Sequence, residues 1–218
     1  MAVNDKPKYN DYDYRYPGDF RSKDIILYNY GGTALDISKV TAVVNLYQDL
    51  DSSFISGNLL FIDQTATTDK LPIIGNEFLE FNFRTPIDAN GDEEVSAANH
   101  RFQVYQKKSV RTAQNVQAVA LFFSSIESVR NERVRINKSL SGNYHEMVNA
   151  IVKNKENLNS KKNLYVDPTN GKFKITFPNK RPADAIKMIT TVAEPRDFVM
   201  PDYMFFENNR GFHFRSLE

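Results

Sequence analysis

The chain has 218 residues, 41% of them hydrophobic, which is enough for one sizeable domain with a smaller appendage. Its 28 basic and 27 acidic residues nearly cancel, so no overall field draws the chain onto nucleic acid or an anionic membrane, and we expect neither as a partner. The absence of cysteine excludes a disulfide framework, a thiolate metal site and a thiol nucleophile.

Residues 1–22 contain almost no aliphatic side chains, and they lack the apolar core of a signal peptide. Tyrosines recur here among Asp, Asn, Lys and Arg, and such a segment cannot form a core of its own. We expect an extended N-terminal arm that is either solvated or docked through its rings onto a neighbouring subunit. Its candidate contact residues are Tyr9, Tyr12, Tyr14 and Tyr16.

Residues 23–128 have the pattern of a β domain. Short apolar or alternating segments are separated by polar turns, and about six strands joined in this way are typical of an antiparallel barrel or sandwich. The strands are predicted at 25–30, 40–46, 54–62, 79–83, 101–105 and 116–123. In the second strand, one face is predicted to carry Val40, Ala42, Val44 and Leu46. In the strand at 116–123, both faces are apolar enough to be buried.

Two polar segments of this domain are candidate contact sites. The turn after the second strand contains Asp49 and Asp51, and a basic cluster begins with Lys107, Lys108 and Arg111. A groove for DNA would need stacking aromatic side chains beside such a cluster. We favour a solvated rim, or a surface that pairs with acidic loops of a neighbouring subunit.

Residues 129–218 follow a different pattern, that of a mixed helix and hairpin module. Apolar residues at i, i+3, i+4 and i+7 predict a helix over 144–151, capped by Asn143 or Ser141. A second helix is predicted to open at Pro182 and to close at Pro195. Hairpins are predicted from 164–166 to 173–177 and from 203–207 to 211–215.

No motif for catalysis or cofactor binding emerges from the sequence. The three histidines, His100, His145 and His213, fall in separate elements, and alternation with two phenylalanines predicts that His213 is exposed. The acidic loop at 88–94 departs from the spacing of a calcium-binding EF-hand loop, which favours a solvated hairpin loop. We therefore expect no enzyme, no cofactor and no metal site.

Taken in order, the segments from residue 34 onward resemble the baseplate central hub protein of contractile-tailed, T-even-like phages. The helices near 146–148 and at 183–193 occur in the family's order. The segments that carry the resemblance are 34–49 (ALDISKVTAVVNLYQD), 56–63 (SGNLLFID), 75–81 (GNEFLEF), 120–129 (ALFFSSIESV) and 203–217 (YMFFENNRGFHFRSL).

The resemblance implies a tail-tube-like β barrel at 23–128 followed by the mixed module at 129–218. It also implies a structural, non-enzymatic role in the virion, at the tail baseplate, for a chain made in the host cytoplasm. The implied partners are copies of the chain in a homotrimer, the central spike or needle protein, and tail tube or tail-completion proteins. The family continues past Glu218 into a second barrel, so we expect the mixed module to be incomplete relative to the family.

Three other functions stay open on the sequence alone. A tail-tube or tail-completion protein would share the barrel but form hexameric rings. A tail-associated cell-wall hydrolase would use a pair of carboxylates brought together only in space. A carbohydrate-binding module would use the surface tyrosines.

Overall fold

A computed structural model describes residues 21–63, 73–87, 93–95, 100–111, 117–196 and 201–217. This part of the chain contains thirteen strands and three helices, and most of the strands pair antiparallel. The predicted class, α+β and mainly β, is confirmed.

The first eight strands form one antiparallel sheet in the order β2-β1-β5-β7-β8-β4-β3, and β6 pairs with β5. The short strands β2 and β6 are absent from the sequence-based prediction. The bounds are β1 (Arg21–Tyr28), β2 (Ala34–Asp36), β3 (Thr41–Tyr47), β4 (Ser56–Asp63), β5 (Phe78–Ile87), β6 (Glu93–Val95), β7 (His100–Arg111) and β8 (Gln117–Ser125).

The link between β2 and β3 closes this sheet into a barrel. The two strands are consecutive in sequence, yet they lie at opposite ends of the strand order. Residues 37–40 bridge these ends, because the Ile37 amide donates to the Ile25 carbonyl at 2.9 Å, and the Ile62 amide donates to the Val40 carbonyl at 2.9 Å. The predicted barrel architecture follows from these bonds.

Aromatic side chains fill the barrel. Phe102 stacks on Phe81 with ring centroids 5.3 Å apart, and it contacts Phe123 at 5.0 Å. Room for these rings comes from Gly57 on β4, since a Cβ added there would lie 2.4 Å from both the Asn45 carbonyl oxygen and the Phe123 ring.

The predicted face of the second strand is wrong in its first half. A β-bulge between Thr41 and Val43 shifts the register of β3 against β4, so the residues before and after the bulge face opposite sides. Val44 is partly buried, whereas Val40 and Ala42 are exposed. A bulge adds one residue to the strand and therefore breaks the period of two on which the prediction depends.

The remaining elements alternate helices with short strands. The helix α1 was not predicted, whereas α2 begins after Asn143 and α3 begins at Pro182, both as predicted. The bounds are α1 (Ile126–Arg133), β9 (Ile136–Gly142), α2 (Tyr144–Lys153), β10 (Leu164–Val166), β11 (Phe173–Lys180), α3 (Pro182–Thr190), β12 (Tyr203–Asn208) and β13 (Gly211–Ser216).

The hairpin predicted from 164–166 to 173–177 is wrong, although the last hairpin, β12 with β13, is confirmed. β10 pairs parallel with β13, and β11 pairs antiparallel with β9. The turn between β10 and β11 instead contacts other parts of the chain. The Thr169 amide donates to Nδ1 of His145 at 3.1 Å, and Thr169 also forms a bridge with Pro195. These contacts separate the two strands that the turn would otherwise have joined.

A second hydrophobic core lies between α2, α3 and the strands that follow them. Phe205 stacks on Phe212 at 5.5 Å, and both rings pack in this core. Phe54, from the loop before β4, also packs here and meets the Phe212 ring edge-on at 6.1 Å. The barrel thus contributes an aromatic side chain to the second core.

A buried carboxylate joins the two cores. The side chain of Glu207 on β12 is fully buried, and it accepts hydrogen bonds from the Ile55 amide at 3.0 Å and from the Ser125 hydroxyl, both at one end of the barrel. Its other oxygen pairs with the Lys162 ammonium, which also lies 2.9 Å from a carboxylate oxygen of Glu127. We call Glu127, Lys162 and Glu207 the junction cluster.

Burial and charge act in opposite directions within the junction cluster. Burial alone would lower the pKa of Lys162, but the carboxylates of Glu207 and Glu127 outweigh it and raise that pKa above its ordinary value. Burial raises the pKa of Glu207, and its bonds to Lys162, Ser125 and Ile55 offset this only in part. The ammonium group is therefore the counter-ion on which the buried carboxylates depend.

Replacing Gly57 with alanine should destabilise the barrel, because the added methyl group collides with backbone and with a core ring. We expect a loss of about 3 kcal/mol in the free energy of unfolding, measured by urea denaturation. Gly31→Ala is the matched control, since its added Cβ would meet only the Asn29 side chain, at 3.4 Å. Equal stabilities for the two variants would contradict this packing.

Replacing Lys162 with methionine should leave two buried carboxylates without a counter-ion. We expect a loss of about 3–5 kcal/mol at neutral pH by urea denaturation. Lys161→Met is the control, because Lys161 is exposed.

The loss in Lys162→Met should also depend on pH. A carboxyl group whose folded-state pKa is raised contributes stability below its ordinary pKa of 4.5 and loses it as the pH rises through the raised value. The defect of Lys162→Met should therefore shrink as the pH is lowered towards 4.5. A defect that is independent of pH, or no larger than that of Lys161→Met, would contradict the account of the junction cluster.

Candidate assembly surface

The two histidines whose side chains the structure describes do not converge on a reactive centre. His145 lies on α2 and His213 on β13, and the side chain of His100 lies outside the described residues. Within the described ranges, no group of three His, Asp or Glu side chains could hold a metal ion. The acidic loop predicted at 88–94 lies mostly outside the described residues.

His213 is 8% exposed, which corrects the prediction that it is solvated. Its side chain does point away from its neighbouring phenylalanines, but rings from the two adjacent strands cover most of the imidazole. The imidazole stacks on Tyr165 at 4.8 Å and on Phe206 at 5.0 Å, and its Nε2 lies 2.9 Å from Oδ1 of Asn208. These rings come from β10 and β12, which pair with β13. The alternation of residues along a single strand does not predict contacts with residues of other strands.

The outer surface of the barrel carries a continuous apolar patch, which we call the barrel face. It spans β3, β4, β8 and β7, whose outward side chains lie opposite one another across the strands. Val43 is paired with Leu60 and Leu60 with Ala120, and the adjoining row pairs Ile62 with Ala118. The barrel face consists of Val43, Leu60, Ile62, Val110, Ala118, Ala120 and Phe122.

Several aliphatic side chains of the barrel face are open to solvent. Val43 is 44% exposed, Ile62 is 38% exposed and Val110 is 66% exposed. Single exposed hydrophobic residues are common on monomers, whereas large contiguous apolar patches are typical of contact sites. The barrel face therefore has the character of an interface.

Polar side chains border the barrel face. The Asn45 amide donates to the Asn58 side-chain oxygen at 3.0 Å, and the Asn58 amide donates to the Tyr47 hydroxyl at 3.0 Å. The Lys108 ammonium lies 5.2 Å from the centroid of the Phe122 ring. An apolar centre with a hydrogen-bonded polar rim is the usual anatomy of a protein–protein interface.

The feature of the sequence that indicated the barrel face is the predicted strand at 116–123, which is apolar on both sides. In β8, the inward residues Val119, Leu121 and Phe123 are fully buried. The outward residues Ala118, Ala120 and Phe122 are only partly buried, so the prediction that both faces are buried is wrong within this chain. Apolar composition alone does not distinguish burial in a core from burial by a partner.

The residues predicted as contact sites lie on different elements. The four arm tyrosines lie outside the described residues. Asp49 and Asp51 are exposed in the loop between β3 and β4. On β7, Lys107 is partly buried and Lys108 is exposed beside the barrel face, whereas the side chain of Arg111 lies outside the described part. Of these predicted residues, Lys108 pairs with the outward residue Ala120 and lies beside the barrel face, whereas Lys107 pairs with the inward residue Leu121 and points to the other side of β7.

Comparison by sequence finds no match: no family model matches the chain, and no curated protein does. Comparison by structure finds tail proteins. The 43 kDa tail protein of prophage MuSo2 from Shewanella oneidensis superposes over 88% of this chain with a TM-score of 0.57 and 9% identity. A tail protein from Neisseria meningitidis MC58 matches over 88% with a TM-score of 0.53 and 10% identity. Prophage tail protein gp18 from Listeria monocytogenes EGD-e matches over 89% with a TM-score of 0.53 and 12% identity.

The chain has the fold of these tail proteins, as the resemblance predicts. It covers 54%, 49% and 51% of their respective lengths, so it spans about half of each. In the part of the chain that the structure describes, no helix has the length and apolar character needed to cross a membrane.

Proposed function

We propose that the chain is a structural subunit of a phage tail baseplate hub, which assembles with copies of itself and links the tail tube to the central spike. In this proposal residues 23–128 form a tube-like barrel domain, residues 129–218 form the mixed module, and residues 1–22 form an arm. The role is assembly without catalysis or a bound cofactor. The chain functions in the virion after synthesis in the host cytoplasm.

The shared fold supports a role in a phage tail. The three tail proteins compared above come from different bacteria and share 9%, 10% and 12% identity with the chain. Likeness that persists at such low identity concerns the backbone, and a fold alone does not determine a function. The argument for assembly therefore depends on the surface of this chain.

The barrel face is the observation that carries the proposal. Its exposed valines and isoleucine would lose their contact with water if another subunit covered them, and each buried CH₂ group contributes about 0.8 kcal/mol. In a closed ring of three, each copy would cover the barrel face of its neighbour with a different surface. Repeated contacts of this heterologous kind close into a ring, and we propose a ring of three.

Tail-tube and tail-completion proteins remain the strongest alternative, since a ring of six copies would use the same kind of contact. A cell-wall hydrolase is the second alternative, and loss of peptidoglycan cleavage on replacing a single carboxylate would favour it. Copy number distinguishes the first alternative, and an activity measurement distinguishes the second.

Replacing Val43 with lysine should weaken self-association, because a charge would then lie within the apolar contact. We expect the full chain, of 25.1 kDa, to sediment as three copies and Val43→Lys to sediment mainly as one. Analytical ultracentrifugation and native mass spectrometry would both report this change.

Val192→Lys is the matched control, because Val192 lies after α3, outside the strands of the barrel face, and is 46% exposed against 44% for Val43. Both variants should unfold at the temperature of the parent chain, since neither side chain belongs to a core. Six copies would favour the tail-tube alternative. A chain that stays monomeric, or an assembly that Val43→Lys leaves unchanged, would contradict assembly through the barrel face.

A further inference from the structure

The outer face of the small sheet β10-β13-β12 carries an open groove of about 460 Å³. The groove is separate from the barrel face and from the junction cluster. We call it the arginine groove, and the residues that matter here are Tyr165, Phe206, Asn208, Arg210, His213 and Arg215.

Three stacked rings form the floor of the arginine groove. Tyr165, His213 and Phe206 lie opposite one another on the three strands, and adjacent ring planes are inclined by only 17° and 8°. Such a platform offers a large contact area whose rings are already ordered before a partner arrives.

The arginine groove is also cationic. Arg210 and Arg215 are both exposed, and neither guanidinium forms a salt bridge with a carboxylate among the described residues. The Arg215 guanidinium lies 5.9 Å from the centroid of the Tyr165 ring. Rings beside unpaired arginines suit a partner that combines carboxylates with aromatic side chains, since guanidinium groups bind carboxylates with two parallel hydrogen bonds.

The chain itself contains such a segment. Residues 9–16 read YNDYDYRY, with Asp11 and Asp13 interleaved among four tyrosines. In an extended strand two carboxylates spaced in this way lie about 7 Å apart, on the side opposite the intervening ring. The segment therefore has the two kinds of side chain that the arginine groove would recognise.

The geometry of the barrel indicates that the segment comes from another copy. Tyr28, at the end of β1, lies in the same row of paired residues as Ser124 and Ser56, next to the junction, whereas Arg21 lies at the far end of the barrel. The path back along β1 alone is about 23 Å, and the eight residues from Asp13 to Arg21 span at most about 29 Å. The groove lies further still, because it opens on the face of β12 opposite to Glu207.

We propose that the arginine groove binds the acidic, tyrosine-rich segment 9–16 of a neighbouring copy. Asp11 and Asp13 pair with Arg210 and Arg215, and the ring of Tyr9, which shares their side of an extended strand, lies on the platform. This contact deepens the proposed self-assembly and rests on it, but it is independent of the barrel face.

Photo-cross-linking between copies tests the proposal. Tyr12 is replaced by p-benzoyl-L-phenylalanine in full-length chains of natural isotope content, which are mixed with ¹⁵N-labelled chains that lack the probe. We expect mass spectrometry to find cross-links from residue 12 to ¹⁵N-labelled peptides that contain residues 203–215. The double variant Arg210→Glu/Arg215→Glu in the labelled chain should lower the yield about tenfold.

Two further variants control for charge and for specificity. Arg196→Glu, at an exposed arginine outside the groove, should leave the yield unchanged. Asp11→Arg/Asp13→Arg in the probe chain should restore cross-linking to the Arg210→Glu/Arg215→Glu chain, because the charges are then exchanged. Cross-links to other surfaces, or only within a chain, would overturn the proposal.

A binding measurement keeps the test independent of ring assembly. A fluorescent peptide of residues 8–17 is titrated with full-length Asp11→Asn/Asp13→Asn, whose own segment no longer competes. We expect saturable anisotropy that Arg210→Glu/Arg215→Glu weakens about tenfold. If this fails while Val43→Lys still dissociates the assembly, only the groove proposal is wrong. If the peptide binds but the full chain stays monomeric, the groove recognises the segment, but both the proposed ring and the contact between copies are wrong.

Discussion

The arrangement of this molecule depends on one buried carboxylate. Glu207 belongs to a strand of the second core, yet its hydrogen-bond donors, Ile55 and Ser125, belong to the barrel. Burying a carboxylate is costly, and a buried ion pair often contributes little net stability compared with apolar packing. It contributes instead to a defined orientation of the two parts, because a displaced carboxylate would lose its donors and its ammonium partner together. The junction cluster therefore fixes how the small sheet meets the barrel, whereas the two cores supply most of the stability.

The position of Glu207 also determines which surfaces are left for partners. Side chains alternate along a strand, so directing Glu207, Phe205 and Tyr203 inward directs Phe206 and Asn208 outward. On the neighbouring strand the same alternation buries Phe214 and turns His213 to the outer side. The arginine groove is thus the reverse side of the strand that makes the junction. The barrel face arises in the same way, as the reverse side of the strands that enclose the barrel core.

The sequence predicted those features that depend on local period, and it missed those that depend on distant partners. Alternation located the barrel strands, and apolar spacing located α2. Alternation failed at the bulge beside Thr41 because a single extra residue inverts the faces. The hairpin after Val166 failed because Thr169 bonds to His145, which is 24 residues away in sequence. The junction cluster was not predicted at all, since Glu207 lies 45 residues from Lys162 and 82 from Ser125.

The strand β8, which is apolar on both sides, carries the most information about function. Val119, Leu121 and Phe123 are sufficient to line the barrel, so core packing does not explain why Ala118, Ala120 and Phe122 are apolar as well. A solvated strand of an antiparallel sheet would carry polar residues on that side. With a net charge of only +1, long-range attraction would contribute little to bringing copies together, so a contact through this side of β8 would depend on the area that it removes from water. The second apolar side of β8 is consistent with a subunit whose outer wall becomes interior when its neighbours arrive.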